Sequence, residues 1–335
     1  MPSLKIMFNE TGNNWGIFSR AKELYNQKMK YIKFKLLNLQ KFPDSIVKYN
    51  REYVISRHPE DIKEYDYMSQ LSKNDKINFS LLSSPGVFIY ISIEGWFYLL
   101  PIAQREWLNN FNDDINSFLE TFFSVFENKL EFSELLKLFD LDNLKRFKEW
   151  LEYILIYDYN RDFAIYCDKA ITNIIKNIDL KDNDLNFWLS NKKFPIDFLQ
   201  FNRKYVEDKY PLGIAEYNYL NSLTEGSKID FSKFSGGSFY ISWNGWSYIL
   251  PKLQYEWFHN YNNTIDFFMG EFIFHITYGN NIFKLLDILD KKDITKLFNW
   301  FKYIIIYYSY QSFSQYYRNN IKNLIFIIDD FINEN

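Results

Sequence analysis

Residues 95–112 read GWFYLLPIAQREWLNNFN, and residues 245–262 read GWSYILPKLQYEWFHNYN. Ten of the eighteen aligned positions are identical, among them both tryptophans, the proline and the glutamine. We call this stretch the repeated block. A match of this length, 150 residues apart, indicates an internal duplication, so we interpret the chain as two copies of one unit.

The similarity continues upstream of the block. Residues 41–54 (KFPDSIVKYNREYV) and 193–206 (KFPIDFLQFNRKYV) share seven of fourteen positions. These matches divide the chain into a lead segment, two repeat units and a linker. The linker carries two aromatic residues, which indicates that it packs against a domain. The predicted boundaries are 1–40 for the lead segment, 41–180 for the first unit, 181–192 for the packed linker and 193–335 for the second unit.

Helical periodicity dominates each copy. Trp96, Leu99, Leu100, Ala103 and Trp107 follow the i, i+3, i+4, i+7, i+11 spacing of one helix face, and the second copy repeats it. Later apolar segments keep the same period. The pattern predicts a mainly α fold made of two tandem homologous helical units, with or without a small β element in each.

Two interpretations compete for residues 88–100. In one, Glu94-Gly95 is the two-residue turn of a β-hairpin; in the other, Ser92 is the N-cap of a helix. Pro101 costs about 3 kcal/mol inside a helix, which argues against one continuous helix. We therefore predict a short helix, or a hairpin, that ends at the proline, with a new helix beginning there. The same alternatives apply to the second copy.

Composition limits the class of protein. The 335 residues are 47% hydrophobic and 21% aromatic, which suits a globular chain with sizeable cores. The net charge of −3 comes without a basic stripe, so we expect no nucleic-acid binding. No apolar run approaches the roughly 20 residues that span a bilayer, and we see no secretion signal. With the single Cys167, these features predict a soluble cytoplasmic protein that does not bind membranes.

Motifs for metal, cofactor or covalent chemistry are missing from the sequence. None of the three histidines has a histidine or cysteine at ligand spacing, and no P-loop, GxGxxG, HExxH or GxSxG string occurs. Cys167 lies on the apolar face of its helix, which favours a core thiol over a nucleophile. We therefore predict no metal, no cofactor and no catalytic residues.

Polar residues retained in both copies are the candidate site residues. In the repeated block they are Gln104, Glu106, Asn110, Gln254, Glu256 and Asn260. On a helix the glutamine and glutamate lie at the borders of the Trp stripe. Acid–base or cation-binding roles for the two glutamates are one interpretation, and hydrogen bonding to nearby loop backbone is the favoured one.

Other retained residues suggest structural roles. Arg51 and Arg203 suit an Arg–carboxylate bridge, with Glu64 or Glu106 as the partner in the first copy. The last asparagine of each block (112 and 262) is predicted to be a helix C-cap, because asparagine tolerates the left-handed conformation. Asp142 is predicted to cap a later helix.

The strings SIEGWFYLLP (92–101) and SWNGWSYILP (242–251) share the pattern Ser-x-x-Gly-Trp-x-Tyr-x-Leu-Pro, which resembles a motif of small uncharacterised bacterial domains. The whole chain resembles, in general character, the immunity proteins of bacterial polymorphic-toxin systems. That resemblance implies a protein that binds one toxin domain, and it transfers no catalytic residue to this sequence.

The leading functional hypothesis is a non-catalytic protein-binding protein, an immunity protein that inhibits a cognate toxin. The alternatives are a hydrolase-type enzyme that uses Glu106 and Glu256, and a phage or host-defence accessory protein. Because the repeated block looks like the centre of each core, we expect function where the copies differ. Those parts are the 83–86 loop, the linker and the N-terminal forty residues.

Overall fold

The structure is a computed structural model. It describes residues 34–82, 86–109, 112–126, 129–157, 161–179, 187–234, 237–307 and 312–334. These residues form two compact units, a first unit within residues 29–183 and a second unit within 184–335. The described ranges contain fourteen α-helices and no β-strand, which confirms the mainly α prediction. No described helix is both long enough and apolar enough to cross a membrane.

The first unit contains seven α-helices, with three short 3-10 turns before the third one. The helices are α1 (Arg51–Arg57), α2 (Ile62–Gln70), α3 (Ile93–Asn109), α4 (Asp113–Phe126), α5 (Lys129–Leu138), α6 (Leu141–Tyr157) and α7 (Arg161–Asp179). The 3-10 turns are Pro59–Asp61, Phe79–Leu81 and Val87–Tyr90. Helix α7 packs against α4 and α6, and α3 packs against α4 and α5.

The second unit has the same elements in the same order. Its helices are α8 (Arg203–Lys209), α9 (Ile214–Asn221), α10 (Trp243–His259), α11 (Asn263–Thr277), α12 (Asn281–Leu286), α13 (Lys291–Tyr307) and α14 (Ser312–Glu334). The 3-10 turns are Pro211–Gly213, Phe231–Lys233 and Gly237–Tyr240. Helix α14 packs against α11 and α13.

The repeated block lies on α3 and α10, and its apolar stripe is at the centre of each unit. In α3 every residue of the predicted stripe is at most 1% exposed, and the equivalent residues of α10 are buried equally well. The Trp96 ring contacts three phenylalanines of α4 at centroid distances of 5.4–5.7 Å. The tryptophans are therefore core residues, as their spacing indicates.

The prediction of a break at Pro101 and Pro251 is wrong. Pro101 lies inside the continuous helix α3, and Pro251 lies inside the continuous helix α10. The hairpin alternative for residues 88–100 is therefore wrong as well. The missing proline N–H costs about 3 kcal/mol. Each large side chain buried along the stripe returns about 1.5–3 kcal/mol, and buried side chains lie on both sides of the proline. Burial of the stripe therefore offsets the cost of the proline when one helix continues past it, because side chains on both sides of the proline are then buried together.

Extended backbone reaches each block helix just before it begins. Val47 forms an isolated antiparallel bridge with Ile91, and Leu199 forms the equivalent bridge with Ile241. The small β element that the sequence left open is thus a single bridge in each unit, and the described residues form no strand there.

Three predicted helix caps are placed differently by the structure. Asn112 and Asn262 do not end a helix; their side chains accept hydrogen bonds from the first turns of α4 and α11. An N-terminal cap suits asparagine because its short side-chain oxygen reaches the free N–H groups. Asp140, not Asp142, caps α6 by accepting from Asn143 N at 2.7 Å. Asp142 pairs with Arg146 instead.

Candidate functional site

Each repeated block begins with a serine that caps its helix. Ser92 Oγ accepts a hydrogen bond from Gly95 N at 2.9 Å, and Ser242 Oγ accepts one from Gly245 N at 2.9 Å. The N-cap prediction for both serines is confirmed. Ser92 N also donates to Ile46 O at 2.7 Å, so the cap residue ties the helix to the extended segment.

The block glycine allows that extended segment to come close to the helix. A Cβ atom on Gly95 would lie 2.4 Å from Ile46 O, and one on Gly245 would lie 2.4 Å from Phe198 O. Such a distance is well below contact, and the obstacle is backbone, which cannot rotate away. Glycine is therefore required at both positions for packing.

The block glutamine holds a second extended segment. Gln104 Oε1 accepts from Leu37 N at 2.8 Å, and Gln254 Oε1 accepts from Leu189 N at 2.8 Å. Gln254 Nε2 also donates to Phe187 O at 2.8 Å. Both glutamines are 0% exposed, because the extended segments cover the border of the stripe on which they lie. Their bonds to loop backbone match the structural interpretation.

The block glutamates are half-buried on α3 and α10. Glu256 Oε2 accepts from Asn260 Nδ2 at 2.7 Å, within its own helix, and Asn260 is exposed. Asn260 also ends α10, where its backbone N–H donates to Glu256 O. Asn110 lies outside the described residues. The structure thus brings Glu256 and Asn260 together, and it places Glu106 and Glu256 in different units.

The retained arginines do not pair with Glu64 or Glu106. Arg51 forms a two-point bridge to Asp66, at 2.7 and 2.9 Å, and its side chain is 57% exposed. Arg203 instead pairs with Glu207 of its own helix at 2.7 Å, because Asn218 stands where the first unit has Asp66. Both are surface ion pairs, which contribute little to stability.

A polar cluster at the start of α13 anchors the extended segment in the second unit. Asp293 is 1% exposed, lies 2.6 Å from Lys192 Nζ and accepts from Ser190 N at 3.1 Å. Burial raises the pKa of Asp293, but the hydrogen bonds from Lys192 and Ser190 outweigh it and leave the pKa below its usual value. In the first unit the equivalent Asn143 accepts from Asn38 N at 2.9 Å, without a charge.

Potential nucleophiles and metal ligands lie in structural surroundings. Cys167 is buried at 2% exposure, as expected of a core thiol. His275 stacks on Trp243 at 5.0 Å, and burial, with a smaller effect of Lys284, lowers the pKa of its imidazole to about 4.

One set of three potential metal ligands, the side chains of His58, Glu60 and Asp61, comes within 4.8 Å in the described chain. Asp61 already accepts from Tyr90 Oη at 3.1 Å. Three such groups do not complete the four-ligand shell of a structural zinc site.

A cleft of about 450 Å³ opens beside Glu256 in the second unit. Trp188, Lys252 and Tyr255 line it together with Lys228 of the preceding loop. Burial lowers the pKa of the Lys252 ammonium, whose nitrogen lies 3.6 Å from the centre of the Tyr248 ring. The cleft therefore combines cations, a carboxylate and two aromatic walls.

An aromatic stripe is exposed along α11. It is formed by Phe267 and Phe274 of the helix and by Tyr278, the residue that follows its last turn. These side chains are 52%, 60% and 58% exposed. Positions i, i+7 and i+11 lie within about 20° of a common line along a helix. The opposite face of α11 is buried, and the exposed face carries Glu271 between the two phenylalanines. In the first unit Ser117 and Ser124 stand where the two phenylalanines are.

Neither the cleft nor the aromatic stripe was predicted from the sequence. The copies differ at the stripe, because the polar positions 117 and 124 of the first unit correspond to phenylalanines in the second. The glutamines and tryptophans that both copies retain lie in the core, so retention in both copies indicates packing more often than a binding surface.

The site and fold define a mainly α protein of two helical units, with its most distinctive surfaces on the second one. Comparisons with protein-family models, with curated proteins and with solved structures gave no match.

Proposed function

We propose that the chain is a non-catalytic protein-binding protein, an immunity protein that binds and inhibits a cognate bacterial toxin domain. The observation that carries the proposal is the aromatic stripe of α11. Phe267 and Phe274 are more than half exposed on a helix whose other face is already buried. Large aromatic side chains that are grouped on an exposed helix face are typical of a contact surface.

The chemistry of the stripe suits a protein partner. Exposed aromatic side chains in a row are typical of interface anchors, because they bury a large area at a small entropic cost. The equivalent face of α4 carries Ser117 and Ser124, so the helical scaffold does not itself need aromatic residues there. Binding of a partner gives the aromatic residues of the second unit a role that the fold does not require.

The test is the affinity for the product of the neighbouring toxin-candidate gene. Phe267→Ser with Phe274→Ser gives the second unit the residues of the first. With two anchors at about 2 kcal/mol each, we expect the affinity to fall by at least about a hundredfold by calorimetry. Tyr316→Ser is the matched control, since Tyr316 is 81% exposed on α14 of the same unit. No complex with any adjacent toxin candidate, or unchanged binding by the double variant, would sink the proposal.

The alternative function is a hydrolase-type enzyme, and the position of Glu256 in the cleft wall favours it. Glu256 is, however, bonded to Asn260 of its own helix, and Glu106 lies in the other unit. Glu106→Gln with Glu256→Gln separates the two functions. An enzyme would lose its cellular phenotype in this variant, whereas an immunity protein would keep it.

A third candidate, a phage or host-defence accessory protein, is distinguished by the genes that surround this one. We also propose that the two units arose by internal duplication, which is supported by their shared order of elements and their matching serine, glycine and glutamine contacts. A cytoplasmic location completes the proposal, since a lone buried cysteine suits a reducing compartment.

A further inference from the structure

The cleft of the second unit has the volume of a small-molecule site. Its volume of about 450 Å³ lies within the usual range for ligand pockets, about 300–1,000 Å³. Five polar or charged residues line it: Asn191, Ser227, Lys228, Lys252 and Glu256. Its remaining lining is largely apolar or aromatic. Such a mixture fits a ligand that has a flat apolar part and one charged group.

Lys252 places a half-buried positive charge at the cleft. Glu256 is four residues further along α10, but its carboxylate accepts from Asn260 instead. No carboxylate in the described part of the chain pairs with Lys252, whose ammonium is held over the Tyr248 ring. A half-buried ammonium without a carboxylate attracts an anion, because desolvation is repaid by a charge-assisted hydrogen bond.

The two aromatic walls are fixed in place before any ligand arrives. Trp188 is 42% exposed, and its ring packs against Phe187 at 5.4 Å and Phe258 at 5.0 Å. Tyr255 is 53% exposed and stacks on His259 at 4.2 Å. Exposed ring faces held by their neighbours bind a further flat ring at a small entropic cost.

The first unit has different chemistry at the equivalent positions. Ile102 replaces Lys252 there, and Arg105 replaces Tyr255. The Arg105 guanidinium donates to Leu37 O and to Pro101 O, both at 2.8 Å, so it is held by two backbone carbonyls. The cation and the aromatic walls are therefore features of the second unit.

We propose that this cleft binds a small aromatic monocarboxylate. The carboxylate contacts Lys252 and Lys228, and the ring lies against Trp188 and Tyr255. Glu256 repels a second negative group, which favours ligands with one carboxylate. This site is separate from the aromatic stripe of α11. The proposal of a ligand site and the proposal of protein binding can therefore be refuted independently of each other.

The experiment titrates the full chain with indole-3-acetate and with its neutral amide, indole-3-acetamide. The indole N–H signal of Trp188, assigned with Trp188→Phe, reports occupancy by NMR. We expect saturation by the acid with a Kd of about 1 mM or lower, the range of a fragment-sized ligand. The amide, which has the same ring and size, binds at least about tenfold more weakly because it lacks the charge.

Lys252→Met removes the proposed anchor and keeps an unbranched apolar stem, and we expect it to weaken binding of the acid about tenfold. Lys228→Met serves as the second variant should the first one lose its fold, and we expect a weakening of a few-fold. Lys204→Met, an exposed lysine on α8, is the control that leaves the Kd unchanged. Equal binding of acid and amide, unchanged affinity in both cleft variants, or no binding of the acid overturns the assignment.

Discussion

Gln254→Ala tests whether the repeated block holds the extended segment near the start of each unit. Gln254 is fully buried, accepts from Leu189 N and donates to Phe187 O, both at 2.8 Å. Alanine leaves both backbone groups without their partner. A buried polar group that loses its partner costs about 1–3 kcal/mol, so the two together cost about 2–6 kcal/mol.

Gln104→Ala is the matched variant of the first unit and is expected to cost less. Gln104 makes one such bond, to Leu37 N, and its Nε2 atom is buried without a partner among the described residues. Its removal leaves one backbone group unsatisfied, at about 1–3 kcal/mol, and also relieves one unsatisfied donor. Gln254→Ala should therefore be the more destabilising of the two.

Amide hydrogen exchange measures this effect at the bond itself. In Gln254→Ala the amide of Leu189 should lose protection, while the amide of Leu37, in the other unit, keeps it and serves as the internal control. Urea unfolding gives the total cost, fitted with separate transitions for the two units where they are resolved. Unchanged protection at Leu189, with less than about 1 kcal/mol of destabilisation, would refute the reasoning.

Two further predictions concern the same scaffold. Gly245→Ala should destabilise the second unit by about 1–3 kcal/mol in urea, because its Cβ would lie 2.4 Å from Phe198 O; a gain in stability, as helix propensity alone predicts, would contradict the close approach. Asp293 has a lowered pKa in the folded protein, so its stabilising effect is full above the unfolded pKa of about 3.9 and is lost as pH falls through the folded pKa. Urea unfolding at pH 7, 5 and 3 should therefore show that the free energy of unfolding falls as the pH falls. Asp293→Asn, which introduces the residue type of Asn143, should reduce this fall. An identical pH profile for both proteins would be evidence against the role of the Asp293–Lys192 pair.

The fold class was predictable because the signal for it is local. The i, i+3, i+4, i+7 spacing of Trp and Leu in the block is a property of consecutive residues, and so are the serine caps. The continuous helix through Pro101 was not predictable in this way. Its cost is local, whereas the burial that offsets it comes from residues of other helices, such as Phe118 and Phe122.

The candidate site was harder to predict, because tertiary packing decides which of its side chains are buried and which are exposed to solvent. Gln104 and Gln254 looked like border residues from their angle on the helix, but an extended segment covers that border and buries them. Arg51 pairs with Asp66 because α1 packs against α2. The spacing of residues in the sequence does not reveal this packing. Likewise, nothing in the sequence of α11 says which of its two faces stays in contact with solvent.

The most direct test of the binding proposal is site-specific photo-crosslinking. A photo-reactive phenylalanine analogue replaces Phe274 in one protein and Ser124, its counterpart on α4, in another. In the complex with the neighbouring toxin candidate, we expect a covalent product from position 274 and none from position 124. A product from position 124 alone, or none from either position while the complex persists, would contradict the assignment of the partner surface to α11.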